Sequence, residues 1–259
     1  MAASYQPDLP LFKFPAIQAI KGVTHGVTTR HGGVSGGTYG SLNLSLSVRD
    51  DEAAVLENKR RVATAFGTSS EALLTTKQVH GRSVVPVEDD WWSVEESPKA
   101  DALITDRPGP LLLQRFADCV PIFFADSNGG AIGLAHAGWR GTVQNVGAAT
   151  VRALEASYRT KPGDLVAGIG PSIGPCCFEV GHEVAEQFGE MPNVILNIGD
   201  KPHIDLWEAN RRALVNAGLS PEAIEVSRIC TRCRQMDYFS HRALGYPAGR
   251  FGGVIGLSS

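Results

Sequence analysis

The sequence has no hydrophobic run long enough to cross a membrane and no surplus of positive charge. A transmembrane helix needs about 20 consecutive apolar residues, and no such stretch occurs. The 24 Lys and Arg residues are outnumbered by 27 Asp and Glu residues, which argues against a protein that binds nucleic acid or a membrane surface. The N-terminus lacks the basic start and apolar stretch of a secretory signal. These absences predict a cytoplasmic protein, and nothing in the sequence demands more than a monomer or weak homodimer.

Cysteine is scarce, and the five cysteines are an odd number. In a chain without a secretory signal, this argues against a disulfide framework. Cys230 and Cys233 form a lone C-x-x-C motif, whereas a zinc ribbon needs a second such pair. Cys176 and Cys177 do not readily supply it, because neighbouring residues on an extended chain point in opposite directions. A second metal site and a redox-active dithiol stay open as alternatives, and the sequence favours buried thiols.

Several common catalytic motifs are also missing. The chain has no H-E-x-x-H zinc motif, no phosphate-binding G-x-x-x-x-G-K loop and no zinc deaminase signature. It has no His-x-His pair of the kind expected in cupredoxin-type copper oxidases. Residues 33–37 match the nucleophile-elbow string G-x-S-x-G, but that elbow requires a helix directly after it. Residues 39–46 do not resemble a helix, so a glycine-rich turn is favoured.

The composition is that of an ordinary globular protein, with 43% hydrophobic and 20% charged residues. Predicted strands and helices mix along the chain, and several strands follow one another between Gln78 and Ala135. This order predicts an α/β (mixed α+β) fold with mixed β-sheets flanked by helices, rather than a purely parallel doubly wound sheet. We expect one compact domain over residues 1–259, with residues 1–20 as a peripheral N-terminal segment.

Three reactive side chains lie among small residues and glycines near the ends of predicted strands: His80, Cys119 and His136. His80 falls within a predicted strand over residues 78–87. Small neighbours leave room around a reactive atom, and α/β proteins usually place their sites at strand ends. Each residue alone is more often a buried or surface residue without a chemical role. Since the three are far apart in sequence, spacing alone does not fix a shared site.

If the three side chains converge, two chemistries are open. Two imidazoles and one thiolate suit zinc and leave a fourth tetrahedral position for water or substrate. Alternatively, Cys119 is the nucleophile of a metal-free Cys–His hydrolase, with His80 or His136 as its base. Asp118 is a candidate for proton handling or for capping the adjacent turn. The same residues serve both hypotheses, so a metal assay is needed to separate them.

At these motifs the sequence resembles the YfiH-like family of laccase-domain proteins, described as polyphenol oxidases and as purine nucleoside phosphorylases. The likeness extends from about Gly22 to Leu257. The matching segments are residues 29–35, 41–44, 78–81, 100–102, 117–121, 135–141, 170–177 and 239–240. The chain departs from the family pattern at His241, where a Tyr is expected before Arg242.

The resemblance implies that His80, Cys119 and His136 bind one zinc ion. We predict that these three residues form the catalytic centre, with Asp118 as the candidate for proton transfer. It also implies phosphate-dependent cleavage of adenosine and inosine, and of methylthioadenosine, to a free base and ribose 1-phosphate. Adenosine deamination at the same site is a second implied activity. Copper-dependent phenol oxidation, and a metal-free Cys–His amidase, are the alternatives.

Phosphorolysis requires a bound phosphate, and the fork of an arginine gives it two hydrogen bonds at once. Arg30 and Arg140 lie in the motif segments and are predicted to bind substrate. Arg242 and Arg250 are further candidates in glycine-rich or motif segments. The side chains of Asn43 and Gln78 either read the base and ribose hydroxyls or hold a loop in place.

Overall fold

The computed structural model describes residues 9–88, 97–189 and 191–258 of the chain. In these ranges the strands are β1 (Leu11–Phe12), β2 (Val23–Thr28), β3 (Leu73–Leu74), β4 (Val84–Pro86), β5 (Ala102–Thr105), β6 (Leu111–Phe116), β7 (Val120–Asp126), β8 (Ile132–Ala137), β9 (Leu165–Ile169), β10 (Ile195–Ile198), β11 (Lys201–Ile204), β12 (Ile224–Val226) and β13 (Phe251–Leu257). The helices are α1 (Pro15–Gln18), α2 (Glu52–Ala65), α3 (Trp139–Val143), α4 (Val146–Tyr158), α5 (His182–Ala185), α6 (Leu206–Asn216) and α7 (His241–Leu244). None of the helices in the described ranges combines the length and hydropathy needed to cross a bilayer.

The larger sheet has six strands in the order β12-β9-β7-β8-β5-β4. Its central pairs are antiparallel, whereas both edge pairs, β12 with β9 and β5 with β4, are parallel. The strands β7 and β8 are buried along their whole length, as expected for apolar runs covered on both faces. The predicted fold of mixed sheets flanked by helices is confirmed.

The second sheet has five strands in the order β1-β2-β13-β6-β3 and packs face to face on the first. Successive residues of a strand point to opposite faces. Phe123 therefore enters the core between the sheets, while Phe124 enters the core beneath α4 and α6. On the outer face of the second sheet, Leu113 and Val254 pack with Val62 of α2. The domain thus has four layers, in the order helix, sheet, sheet, helix.

The N-terminal segment is not peripheral where the structure describes it. Residues 1–8 of the predicted peripheral segment lie outside the described residues. From residue 9 onward the chain joins the core: Phe14 and Ile17 are buried between the sheets. The Phe14 ring also occupies the space beside Gly168, where an added Cβ would lie 2.5 Å from the ring. Burial of these large apolar side chains anchors the segment to the fold.

The strand predicted over residues 78–87 was too long. Only Val84–Pro86 are paired as a strand, and His80 has a left-handed backbone conformation with φ of 59°. A residue in this conformation cannot continue a strand. His80 therefore lies on a loop that precedes β4, and this loop carries it to one end of the larger sheet.

Candidate metal centre

A cavity of about 560 Å³ opens at the end of the larger sheet where β6 turns into β7. This volume is typical of small-molecule sites, which span about 300–1,000 Å³. All three side chains predicted to bind metal line it. Its wall is formed by Ser45, Ser47, Lys77, Gln78, His80, Arg115, Ala117, Asp118, Cys119, His136, Ile173, Phe178, His241, Arg242 and Arg250.

His80, Cys119 and His136 converge in this cavity. Each offers one ligand atom, and these atoms lie within 4.8 Å of one another. The two imidazole rings meet edge to face, with centroids 5.0 Å apart. Residues distant in sequence are therefore brought into a single group, as predicted.

Cys119 and His136 are held by neighbouring strands. Cys119 immediately precedes β7, in a tight turn where Asp118 adopts a φ of 86°. His136 lies on β8 opposite Pro121 of β7. Since strand register fixes which face each side chain takes, this pairing places the His136 ring and the Cys119 thiol at the same end of the sheet.

Asp101 is a site residue that the sequence did not single out. Its buried carboxylate accepts a hydrogen bond from His136 Nδ1 at 2.8 Å. It also accepts three backbone N–H bonds, from Val79 at 3.2 Å, His80 at 2.9 Å and Gly81 at 2.7 Å. One carboxylate thus orients the ring of His136 and holds the loop that carries His80. Because Nδ1 of His136 is occupied by the hydrogen bond to Asp101, Nε2 is the nitrogen that faces the other ligand atoms.

The signal for Asp101 was present in the sequence. An acidic residue lies between alanines directly before the apolar strand β5, where a charge is costly unless it is paired. Burial by itself would raise the pKa of the Asp101 carboxyl. The hydrogen bonds from His136, Gly81 and Val79 outweigh burial and lower the pKa, so the group is ionised at neutral pH.

The thiol of Cys119 and the ring of His136 form a coupled pair. Burial would raise the pKa of Cys119, but the charges and hydrogen bonds of His136 and His80 lower the pKa to about 6. Burial would lower the pKa of His136, but the Cys119 thiolate and Asp101 raise it to about 9. Between these two pKa values, Cys119 is a thiolate and His136 an imidazolium in the metal-free protein.

We expect Cys119 in the metal-free protein to react with iodoacetamide at a rate that rises with a midpoint near pH 6, well below that of an ordinary thiol. Alkylation of the Cys119 peptide, followed by mass spectrometry over pH 5–9, measures this midpoint. The His136→Ala variant should shift the midpoint upward, because it removes the main stabilising charge. An unshifted midpoint in this variant would contradict the pairing.

The structure does not bring all predicted substrate-binding residues to the cavity. Arg30 donates to the carbonyls of Gly40 and Gln235 at 2.7 and 2.8 Å and lies over the Phe239 ring. Arg140 is exposed and lies over the Trp139 ring. Neither arginine lines the cavity, and substrate binding by Arg30 and Arg140 stays a prediction.

The two predicted amides hold loops in place. Asn43 is fully buried, and its Oδ1 accepts from the backbone N–H of Arg250 at 2.9 Å. Gln78 lines the cavity, but both ends of its amide bond the Arg115 backbone, at 2.9 and 3.1 Å. The sequence left open whether these amides bind substrate or hold a loop in place, and the structure favours the second role. By bonding the backbone of Arg250 and of Arg115, the two amides position these arginines.

Asp118 lines the cavity with both carboxylate oxygens already hydrogen-bonded. One accepts from the Thr231 hydroxyl at 2.7 Å and the other from the backbone N–H of Arg242 at 2.6 Å. These bonds tie the turn before β7 to two C-terminal segments. They favour a structural role, and proton handling by Asp118 stays a prediction.

The cationic residues of the cavity are Lys77, Arg115, Arg242 and Arg250. Burial lowers the pKa of Arg115, helped by the charge of Arg250, and burial also lowers the pKa of Arg250. Neither guanidinium has an ion-pair partner among the residues that the structure describes. Two partly desolvated cations in one cavity favour an anionic ligand.

The chain is similar to several known proteins. The family model described as multi-copper polyphenol oxidoreductase laccase matches residues 24–258. Purine nucleoside phosphorylase YlmD of Geobacillus stearothermophilus is 38% identical, over 91% of this chain and 90% of that protein. Adenosine deaminase RL5, from an unknown prokaryotic organism, is 35% identical, over 93% of this chain and 97% of that protein.

Among solved structures, the hypothetical protein YfiH of Bacillus licheniformis superposes with a TM-score of 0.89 and 35% identity, covering 97% of each chain. The match therefore includes the sheets and loops that build the cavity. With a family model that spans nearly the whole sequence, this chain belongs to the YfiH-like, laccase-domain family.

Proposed function

We propose that this chain is a zinc-dependent purine nucleoside phosphorylase. It cleaves adenosine, inosine and methylthioadenosine with phosphate, giving the free base and ribose 1-phosphate. The observation that carries the proposal is the meeting of a two-histidine, one-cysteine donor group with the guanidinium groups of Arg115 and Arg250 in one cavity. The names of two relatives, a purine nucleoside phosphorylase and an adenosine deaminase, supply the substrate class.

The three donors fit zinc. Two imidazoles and a thiolate are common zinc ligands, and three protein ligands leave a position open for another group. The carboxylate–histidine bond from Asp101 to His136 is the usual support of a metal-binding imidazole. Cys119 is readily ionised, as metal binding requires. When bound, zinc supplies a Lewis acid that polarises an oxygen or stabilises a developing negative charge.

The arginines of the cavity are proposed to bind phosphate. Arg115 and Arg250 are held by backbone contacts, from Thr76 and Gly249 carbonyls respectively, at 2.9 and 3.1 Å. Their guanidinium groups are thus oriented before a ligand enters, which lowers the cost of binding. Arginine binds phosphate oxygens through paired, charge-assisted hydrogen bonds. Lys77, at the exposed rim, adds a further positive charge.

Part of the cavity wall offers an apolar surface for the base. Phe178 and Ile173 line the cavity, and the Arg242 guanidinium lies 5.4 Å from the centre of the Phe178 ring. A purine can stack on such a ring. His241, at the start of α7, also lines the cavity. We extend the proposal to deamination of adenosine bound in this same position.

The deciding experiment follows adenosine by chromatography, with and without phosphate, in the same preparation whose metal content is measured. Formation of ribose 1-phosphate only when phosphate is present supports phosphorolysis, and formation of inosine supports deamination. A protein with neither metal nor nucleoside turnover would overturn the proposal. Oxygen uptake with a phenol, dependent on added copper, would instead support the oxidase alternative.

A Cys–His–Asp hydrolase is the second candidate, because Cys119, His136 and Asp101 are linked as in a catalytic triad. The position of His80 favours a metal site over a metal-free hydrolase. A triad needs one imidazole at the thiol, whereas here a second imidazole reaches the same point. Turnover of an ester or amide that persists after complete removal of metal would favour the hydrolase.

We expect Arg250→Gln to raise the KM for phosphate by about 10–100-fold while leaving the KM for adenosine nearly unchanged. The loss of a charge-assisted hydrogen bond costs about 1.5–3 kcal/mol, and each 1.4 kcal/mol corresponds to about tenfold. Initial rates at varied phosphate concentration measure the effect. The exposed Arg152→Gln is the matched control. Equal changes in both variants would exclude Arg250 from phosphate binding.

Gly138→Ala should weaken zinc binding with little loss of stability. A Cβ at residue 138 would lie 2.9 Å from His80 Cδ2 and 3.2 Å from Cys119 Sγ, so the exposed His80 must move away. We expect an affinity loss of about 10-fold or more, as for other changes that misplace a ligand. Competition with a chelator measures it. Gly36→Ala is the control, since its Cβ meets nothing within 4 Å.

A further inference from the structure

The four cysteines outside the cavity come together at one edge of the larger sheet. Cys176 and Cys177 follow β9, whereas Cys230 and Cys233 follow β12. These strands are parallel neighbours, so the segments that leave their carboxyl ends begin side by side. The pairing continues past the strands, because Ser172 and Cys230 form a parallel bridge and Thr231 N–H donates to the Ser172 carbonyl at 3.0 Å.

Cys176 and Cys177 do not lie on an extended chain, so the expectation that they would diverge was wrong. Their segment is a turn in which the N–H groups of Cys177 and Phe178 both donate to the Gly174 carbonyl at 2.9 Å. In a turn, successive side chains do not point in opposite directions as they do on an extended strand. Both thiols consequently reach Cys233, with Sγ–Sγ distances of 3.7 Å from Cys176 and 3.5 Å from Cys177.

The four sulfur atoms are arranged for a metal rather than for a disulfide. All four lie within 4.8 Å of one another, whereas a disulfide bond is about 2.05 Å long. In a tetrahedral site with Zn–S bonds of about 2.3 Å, neighbouring sulfur atoms are about 3.8 Å apart. The two shortest contacts, at 3.5 and 3.7 Å, are therefore close to the edges of such a tetrahedron.

The surroundings suit thiolates. Gly174 N–H donates to Cys230 Sγ at 3.3 Å, and Arg232 Nη1 donates to Cys177 Sγ at 3.5 Å. N–H donors and a guanidinium stabilise the negative charge that four thiolates bring to a metal. Gly174 also permits close packing, since a Cβ there would lie 2.6 Å from the Trp207 ring and 3.2 Å from Cys230 Cβ.

We propose that Cys176, Cys177, Cys230 and Cys233 bind a second zinc ion, in a site that is structural and separate from the cavity. Four thiolates fill the tetrahedron and leave no position for substrate. The ion would join the turn that precedes Phe178 to the segment that contains Thr231. These segments supply a cavity wall and a hydrogen-bond partner of Asp118. The site therefore stabilises the rim of the cavity without taking part in the reaction.

Metal stoichiometry tests this proposal. The holoprotein, purified under reducing conditions from zinc-supplemented cells, should contain about two zinc ions per chain by mass spectrometry, one for each donor group. Cys233→Ser should contain about one and retain the zinc of the cavity, while His80→Ala should retain the four-cysteine zinc. The double variant should contain almost none. Cys233→Ser that keeps the full wild-type content would overturn the proposal.

X-ray absorption of zinc-loaded His80→Ala provides a measurement that does not depend on the folding of any cysteine variant. An all-sulfur coordination shell at about 2.3 Å is expected. A nitrogen- or oxygen-containing shell, absence of zinc, or a disulfide among these cysteines in the reduced protein would each overturn it. The result of the nucleoside assay is independent of this test, because the proposed function rests on the donor group of the cavity and not on the four cysteines.

Discussion

Cys119→Ala is expected to lose the zinc of the cavity and to reduce nucleoside turnover by about 10³-fold or more. The change leaves two imidazoles without the thiolate that completes the donor group. Electrostatic stabilisation of the transition state by a positioned group usually contributes more to catalysis than any other single effect. Zinc per chain and the rate of ribose 1-phosphate formation, measured on the same sample, give both results.

Cys233→Ser is the matched control for that variant, because it also removes one thiol but lies outside the cavity. It should lose the four-cysteine zinc but keep the cavity zinc and substantial turnover, so the turnover rate rather than the total zinc per chain separates the two variants. Thermal unfolding with circular dichroism checks that Cys119→Ala is folded. If this variant kept full activity, Cys119 would have no role in the reaction and the proposed centre would be wrong.

Asp101→Asn should weaken zinc binding by about 10–100-fold and also lower the free energy of unfolding by about 1–3 kcal/mol. An amide has one acceptor oxygen, whereas the carboxylate accepts four hydrogen bonds through two. Either the His136 ring or part of the loop that carries His80 must lose its partner. Chelator competition measures the first effect and urea unfolding measures the second.

The control for this variant is Asp126→Asn. Asp126 is also a buried aspartate with hydrogen bonds from Asn128 and Thr160, but it lies at the opposite end of β7 from Cys119. It should lose stability without losing zinc affinity. If both variants bound zinc as well as the wild type, Asp101 would have only a structural role.

The pH dependence of stability provides a further check on Asp101. Its pKa is lowered in the folded protein, so its contribution is fully present above the ordinary pKa of a carboxyl group. The contribution is lost as the pH falls through the lower, folded value. We therefore expect the stability difference between the wild type and Asp101→Asn to narrow in acid, as measured by urea unfolding at a series of pH values.

Local patterns in the sequence predicted the mixed sheets and singled out His80, Cys119 and His136 one by one, whereas their meeting in one site was implied only by the resemblance to the family. Apolar runs such as β7 and β8 reveal buried strands, and glycines and alanines beside a histidine or cysteine reveal space around it. The role of Asp101 depends instead on the register that brings β5 beside β8. No local pattern in the sequence contains that pairing.

The contacts of the arginines were not predictable for the same reason. Arg30 and Arg140 lie in motif segments, but a motif does not reveal which carbonyls or rings its side chain will contact. Arg115 lies within the apolar strand β6, and the sequence did not single it out. The cysteine cluster was likewise hidden until the parallel pairing of β9 and β12 was known.

The three donors of the cavity differ in how firmly the fold holds them. His136 is buried on a central strand, whereas His80 is exposed on a loop fixed mainly through its backbone hydrogen bonds to Asp101. Local opening of such a loop costs far less than global unfolding. Metal exchange should therefore start with release of His80, while Cys119 and His136 stay in place. The kinetic lifetime of the bound ion is then governed by this one loop, whereas its position is governed by the sheet.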